Sequence, residues 1–211
     1  MKAVIFDLDG VICSTDQYHY QAWKALADDI GVYFDESINN RLRGVSRMAS
    51  LEIILERSER KYTEEEKIAM AEKKNKIYTA LLQQMSEKDL SGEVKSTLDA
   101  LRDAGLLLAI GSSSRNTKLI LSRLGLGDYF DAVSDGTNIT RSKPDPQVFI
   151  MAAQMLRQQP AACLVVEDAK AGIQAAVSGG FPSAGLGEAA AHPQVTWKLN
   201  RIEDLKKILI P

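Results

Sequence analysis

The chain is expected to fold in the α/β class, as a parallel sheet covered by helices on both faces and interrupted by an inserted α-helical domain. Three observations predict this. A short apolar strand signal stands alone at the N-terminus, further strand signals alternate with helix-period segments in the second half, and the stretch separating them is rich in Glu, Lys, Ala, Leu and Met with almost no strand signal. The expected division is residues 1–14 with 88–211 for the α/β core and residues 15–87 for the insert.

The elements follow in chain order. Residues 2–6, KAVIF, are β-leaning and run directly into Asp7-Leu8-Asp9-Gly10, the pattern of a buried strand ending in a turn. Within the insert, helical spacing covers Gln17 to Asp29, Glu36 to Leu42, Arg47 to Arg57 and Glu64 to Gln84. Thr63 is placed to cap the last of these, which carries acidic residues in its first turn. The alternation then runs as helix Val94 to Ala104, strand Leu106 to Ile110, helix Lys118 to Leu124 and strand Ala132-Val133. It continues with helix Pro146 to Leu156, strand Cys163 to Val166, helix Ala171 to Val177 and a strand around Phe181 to Ala184. Each helix suits a crossover connection, so the core reads as a Rossmann-like sheet whose ligands bind beyond the carboxyl ends of its strands.

Composition narrows the function classes. With 211 residues, 45% of them hydrophobic and 26% charged, a folded globular protein is expected. The 26 Lys and Arg nearly balance the 28 Asp and Glu, leaving a formal charge of −2, so neither nucleic acid nor an anionic membrane has a broad electrostatic reason to bind. Anion recognition must be local. The two cysteines, Cys13 and Cys163, cannot build the disulfide framework of a small secreted domain. The N-terminal run, broken by Asp7 and Asp9, is neither a signal nor a transit peptide, and no apolar stretch approaches the roughly 20 residues of a spanning helix. A cytoplasmic protein with reduced thiols is expected.

Four polar elements follow or lie near strand ends. Asp7 and Asp9 sit two apart where the first strand leaves the sheet, and two carboxylates directed toward one crevice would repel unless a hard divalent cation such as Mg²⁺ relieved them. Gly10 lets the backbone turn sharply there. After LLLAI comes Gly111-Ser112-Ser113-Ser114-Arg115-Asn116, whose hydroxyls and backbone N–H groups can hold an anion. Lys143-Pro144-Asp145-Pro146 presents one ammonium before a helix, and Glu167-Asp168 forms a second acidic pair at a strand exit. Together these groups suit phosphoryl transfer: carboxylates and Mg²⁺ to place phosphate oxygens, a lysine for the spreading charge, and hydroxyl and amide donors for the rest.

In this order FDLDG, the Ser112 region, Lys143-Pro144 and Glu167-Asp168 resemble the four motifs of the haloacid dehalogenase-like superfamily, over nearly the whole chain. The resemblance implies that Asp7 is the nucleophile forming an aspartyl-phosphate and that Asp9 is the general acid and base. It implies Mg²⁺ held by the Asp7 side chain, the Asp9 backbone carbonyl and Asp168, with Glu167 close by. Ser112 and Lys143 would grip the transferring phosphoryl group, Lys143 also pairing with the nucleophile, and the helical insert would be the family's cap domain.

The insert adds a narrower resemblance. FDLDGVI with Thr15, His19, AWKALA at 22–27, Arg43-Gly44-Val45-Ser46-Arg47 and Lys73-Lys74-Asn75 is similar to the β-phosphohexomutase branch of that superfamily. This implies an isomerase interconverting glucose 1-phosphate and glucose 6-phosphate through glucose 1,6-bisphosphate, with small sugar phosphates as its partners and a monomer sufficient. Thr15 would be a hinge residue, and His19 would couple sugar binding to the placement of Asp9. Arg47 with Ser114 and Asn116, and Arg115 nearby, would bind the phosphate not being transferred, with Arg43, Ser46 and Ser113 in the same loops. Lys74, Gly44, Val45 and Trp23 would line or order the cap side. Where relatives commonly have Thr-Asp this chain has Cys13-Ser14, and where they are often acidic it has Met48-Ala49. The competing expectations are a sugar-phosphate phosphatase using the same Asp7 and Asp9, and a noncatalytic sugar-phosphate binder.

Overall fold

The computed structural model describes residues 1–42 and 45–210. They divide into two compact units, Met1–Ser14 with Ser86–Pro211, and Thr15–Met85.

The first unit is built on a parallel sheet of six strands among the described residues: β1 (Ala3–Phe6), β2 (Leu107–Gly111), β3 (Ala132–Ser134), β4 (Cys163–Glu167), β5 (Ser183–Gly185) and β6 (Trp197–Lys198), in the order β3-β2-β1-β4-β5-β6. Strand β1 is central because it is apolar at every position and can be covered on both faces. Ala3 and Ile5, with Ala109, Cys163 and Val165, pack against Val148, Phe149, Ala152, Ala175 and Ala176 on one side. Val4, Phe6, Leu108, Ile110, Leu164 and Val166 point the other way by the two-residue alternation of strands, and they too are fully buried.

The helices of the insert are α1 (Asp16–Asp29), α2 (Glu36–Asn40), α3 (Arg47–Leu55) and α4 (Glu64–Leu82). Those of the sheet unit are α5 (Gly92–Asp103), α6 (Thr117–Arg123), α7 (Gln147–Met155), α8 (Lys170–Ser178) and α9 (Asp204–Leu209). The expected strands and helices form with ends moved by a residue or two. Capping sets several of them: the Ser91 hydroxyl accepts from Val94 N–H and starts α5 two residues earlier than its apolar spacing suggests. Two elements, β6 and α9, carried no signal in the sequence. β6 is a two-residue edge strand whose pairing with Ala184 and Gly185 is entirely non-local, and α9 has too few residues to show a period.

The helical unit has its own core of Trp23, Leu26, Ala27, Val32, Phe34, Ile38, Leu42, Leu51, Ile54 and Ala71. Thr63 and Glu66 close α4 with a reciprocal capping box, Thr63 N–H to Glu66 Oε2 at 2.9 Å and Glu66 N–H to Thr63 Oγ1 at 3.2 Å. No helix among the described residues is long and apolar enough to cross a membrane.

Candidate active site

Parallel pairing brings the polar strand exits to one edge. Phe6 is level with both Ile110 and Val166, so β1, β2 and β4 end side by side. Asp7 leaves β1 with its N–H still donating to the Val166 carbonyl at 2.9 Å, and Ser112 leaves β2 donating to the Ser134 carbonyl at 3.1 Å. Glu167 is the last residue of β4. Lys143, in the loop preceding α7, donates from Nζ to Asp7 Oδ1 and to Glu167 Oε1, the latter at 2.6 Å, while the ammonium lies 4.7 Å from the centre of the Phe149 ring. The second Glu167 oxygen accepts from the N–H groups of Asp168 and Ala169, both at 2.9 Å. Lys143 is thereby held between two buried carboxylates, one of which is itself fixed by the backbone.

Asp7, Glu167 and Asp168 bring carboxylate oxygens within 4.8 Å of one another. Three carboxylates against one ammonium leave an excess of negative charge. Burial first, then repulsion by Glu167 and Asp168, pushes Asp7 up to about 8 against the opposing pull of Lys143. Burial and Glu167 push Asp168 up to about 7. For Lys143, burial acts to lower the pKa, but Asp7 and Glu167 outweigh it and hold the ammonium charged. An all-oxygen donor set with surplus charge fits Mg²⁺, and a dication there would reverse the shifts of both aspartates. Because both oxygens of Glu167 are engaged by protein donors, Asp7 and Asp168 are the carboxylates best placed to hold it.

Glycines make the crowding possible. A Cβ on Gly10, whose φ is +79°, would lie 2.0 Å from Asp168 Oδ2, and one on Gly172 would lie 1.9 Å from Glu167 Oε1. Asp9 occupies the turn at Gly10, partly buried, with its carboxylate outside the set of three but near enough to Asp168 to add to the repulsion there. Cys13 closes the same turn, accepting at its carbonyl from Gly10 N–H at 2.7 Å. Burial, followed by the charges of Asp9, Asp7 and Asp89, pushes its thiol up, which keeps it protonated and inert.

At the exit of β2 the Ser112 hydroxyl accepts from Ser114 N–H and the Ser114 hydroxyl from Asn116 N–H, both at 3.2 Å. Each keeps its own proton to donate elsewhere. Ser112 is buried, Ser113, Ser114 and Asn116 are half-buried, and Arg115 is exposed.

The helical unit gathers a second group. Lys74 Nζ lies 2.8 Å from His19 Nδ1, 4.7 Å from the Trp23 ring centre and 4.4 Å from that of Tyr78. An ammonium has no lone pair to offer, so Nδ1 is the acceptor and the imidazole proton sits on Nε2, making that nitrogen a donor. Burial, then the charges of Lys74 and Arg47, holds His19 well below its usual 6.5. Arg47 opens α3 behind Ser46, whose hydroxyl accepts from Ala49 N–H at 3.3 Å, and Val45 is exposed. Trp23 is 2% exposed and orders this cluster from the core. Thr15 is buried, its Oγ1 accepting from Tyr78 OH at 2.9 Å. Arg43 and Gly44 lie outside the described residues. Tyr78 was missed by the sequence reading, although its place one turn beyond Lys74 on α4 was a usable signal.

A parallel α/β unit with three clustered carboxylates and a buried lysine at its carboxyl edge defines the class. The chain belongs to the haloacid dehalogenase-like hydrolase family, which it matches over residues 1–180. It is 44% identical over 190 residues to a β-phosphoglucomutase of Bacillus subtilis (strain 168), covering 89% of this chain and 84% of that one. A phosphorylated carbohydrates phosphatase of Thermotoga maritima is 32% identical over 184 residues, covering 86% of this chain and 82% of that one. Among solved structures, a β-phosphoglucomutase of Clostridium difficile superimposes with a TM-score of 0.90 at 38% identity, covering 98% of this chain and 93% of that one.

Proposed function

We propose that the chain has β-phosphoglucomutase activity, interconverting β-D-glucose 1-phosphate and β-D-glucose 6-phosphate through β-glucose 1,6-bisphosphate and a phosphorylated Asp7. One observation carries the phosphoryl-transfer chemistry: at the exit of the central strand, Asp7 shares an oxygen with a buried lysine that Glu167 holds in place, with Asp168 beside them. The similarity to β-phosphoglucomutases supports the choice of reaction.

In the donating step the bond from phosphorus to the Asp7 oxygen breaks as the sugar hydroxyl oxygen bonds to phosphorus, and the hydroxyl proton passes to the Asp9 carboxylate. In the return step the free Asp7 carboxylate attacks the other phosphate of the bisphosphate. The sugar oxygen leaves with the proton from Asp9. Lys143 and the Ser112 hydroxyl meet the charge on the phosphoryl oxygens. Mg²⁺, held by Asp7 and Asp168, would supply further neutralising charge. Arg47, His19 and Lys74 of the helical unit serve recognition of the sugar phosphate, Arg47 through the fork that suits a phosphate not being transferred. General acid–base help is worth roughly 10²–10⁴-fold, so making Asp9 available only when sugar is bound is enough to protect the phospho-enzyme from water.

The test is the product made from β-glucose 1-phosphate with Mg²⁺ and a trace of the bisphosphate. Glucose 6-phosphate forming faster than inorganic phosphate is expected, with Asp7→Ala abolishing both. Dominant phosphate release would establish the second reading, a sugar-phosphate phosphatase, which the similarity to the Thermotoga maritima phosphatase favours.

A further inference from the structure

Thr15, His19 and Trp23 stand four residues apart along the start of α1, and Lys74 and Tyr78 four apart on α4, so each helix presents its members as one stripe. Where the stripes meet, Tyr78 touches every polar member. Its hydroxyl donates to Thr15 Oγ1 at 2.9 Å, its ring lies 4.1 Å from the His19 ring at 32°, and the Lys74 ammonium sits 4.4 Å from its centre. The side chain is 1% exposed. Packing alone does not ask for this. A helix contact is satisfied by apolar side chains of similar bulk, and burying a hydroxyl, an imidazole and an ammonium is unfavourable unless each finds fixed partners.

We propose that Tyr78 is a positioning residue, a single side chain that holds the Thr15 hydroxyl, the His19 ring and the Lys74 ammonium in one preformed arrangement for the sugar-phosphate reaction. The ring tilted against it sets the plane of His19, so that Nδ1 meets Lys74 and the Nε2 proton has one direction. The same ring takes the ammonium on its face and fixes where the positive charge lies. The hydroxyl ties the start of α1, at Thr15, to α4. What the arrangement serves rests on the mutase reading above; the arrangement itself rests on the geometry.

The experiment compares Tyr78→Leu and Tyr78→Phe in the full chain. It measures mutase kcat and KM for β-glucose 1-phosphate, phosphate release from the phospho-enzyme, and the ¹⁵N shift of His19 Nδ1. Removing the ring with Tyr78→Leu is expected to lower mutase kcat about tenfold or more, to change phosphate release less than about twofold, and to move the Nδ1 shift toward that of a solvated imidazole. Tyr78→Phe keeps the ring, so the Nδ1 shift is retained. Loss of the hydroxyl alone is expected to cost about threefold in kcat at unchanged KM. A Tyr78→Leu protein with the original Nδ1 shift and kcat, or with mutase and phosphate-release rates reduced in equal proportion, overturns the proposal. If that variant does not fold, Tyr78→Phe decides: kcat equal to the starting enzyme overturns the link through Thr15. The unsubstituted enzyme in the same assay keeps the two failures apart, because dominant phosphate release refutes the mutase reading and leaves the nitrogen shift to decide on Tyr78.

Discussion

Gly10→Ala tests how tightly the carboxylate site is built, because Gly105→Ala supplies a matched control. Both glycines hold left-handed backbone, φ +79° and φ +80°. A Cβ added at either position carries the same conformational strain, about 1–2 kcal/mol. They differ in surroundings. At Gly105 nothing lies within 4 Å of the new atom, whereas at Gly10 it would lie 2.0 Å from Asp168 Oδ2 and 2.4 Å from its Cγ. That is about 1 Å inside the 3.0 Å that real Cβ atoms respect, so either Asp168 or the turn carrying Asp9 must retreat by about that much. A misplacement of about 1 Å at reacting groups costs on the order of 10²-fold in rate. Thermal unfolding and steady-state turnover against Mg²⁺ concentration read the two effects separately. Gly105→Ala should lose only the strain, a few degrees in midpoint for about 1 kcal/mol in a chain of this size, and Gly10→Ala at least as much. Only Gly10→Ala should lose roughly 10²-fold in kcat/KM and need more Mg²⁺. Equal turnover in the two variants would refute the view that Asp168 is held in place by direct contact with the Gly10 turn.

Two further outcomes follow from the helical unit. Unfolded His19 takes up a proton near its ordinary 6.5, while the folded ring, buried and facing Lys74 and Arg47, resists until well below it. The unfolded chain therefore binds more protons in that interval, and stability should fall as pH drops below 6.5. The thermal midpoint should show a shallower acid slope in His19→Gln, and identical slopes would remove His19 as the cause. Arg47→Ala should raise KM for the sugar phosphate by about tenfold or more, as expected for a lost charge-assisted hydrogen bond, with kcat changed less than about threefold. An unchanged KM would take Arg47 out of phosphate recognition.

The parallel sheet and the polar residues at its exits were legible in the sequence because both are local facts. KAVIF followed at once by Asp7, and CLVV followed by Glu167-Asp168, each declare a strand and what leaves it. The partners of those residues were not legible from spacing; only the family resemblance implied that Lys143 pairs with Asp7 and that Asp7 and Asp168 share a cation. Lys143 meets Asp7 across 136 positions, and no spacing rule says that one ammonium will sit between Asp7 and Glu167. The engagement of both Glu167 oxygens by protein donors was equally hidden.

In the helical unit His19 on its amphipathic helix, Arg47 in the basic loop between helices and Lys74 on the long helix are visible in the sequence, and the family resemblance joins them. Tyr78 is not, since an aromatic at helical spacing reads as core, and in burial it is core. What distinguishes it is the set of neighbours that another helix supplies. By itself, then, the sequence determined the order of elements, the parallel arrangement and which polar groups stand at the carboxyl edge, because strand and helix periods and turn residues act over a few positions, and parallel strands must end together. Which oxygen meets which nitrogen, which glycines lie against carboxylates and which buried ring packs on His19 came into view only with the folded chain, because those choices depend on packing between segments far apart in the sequence.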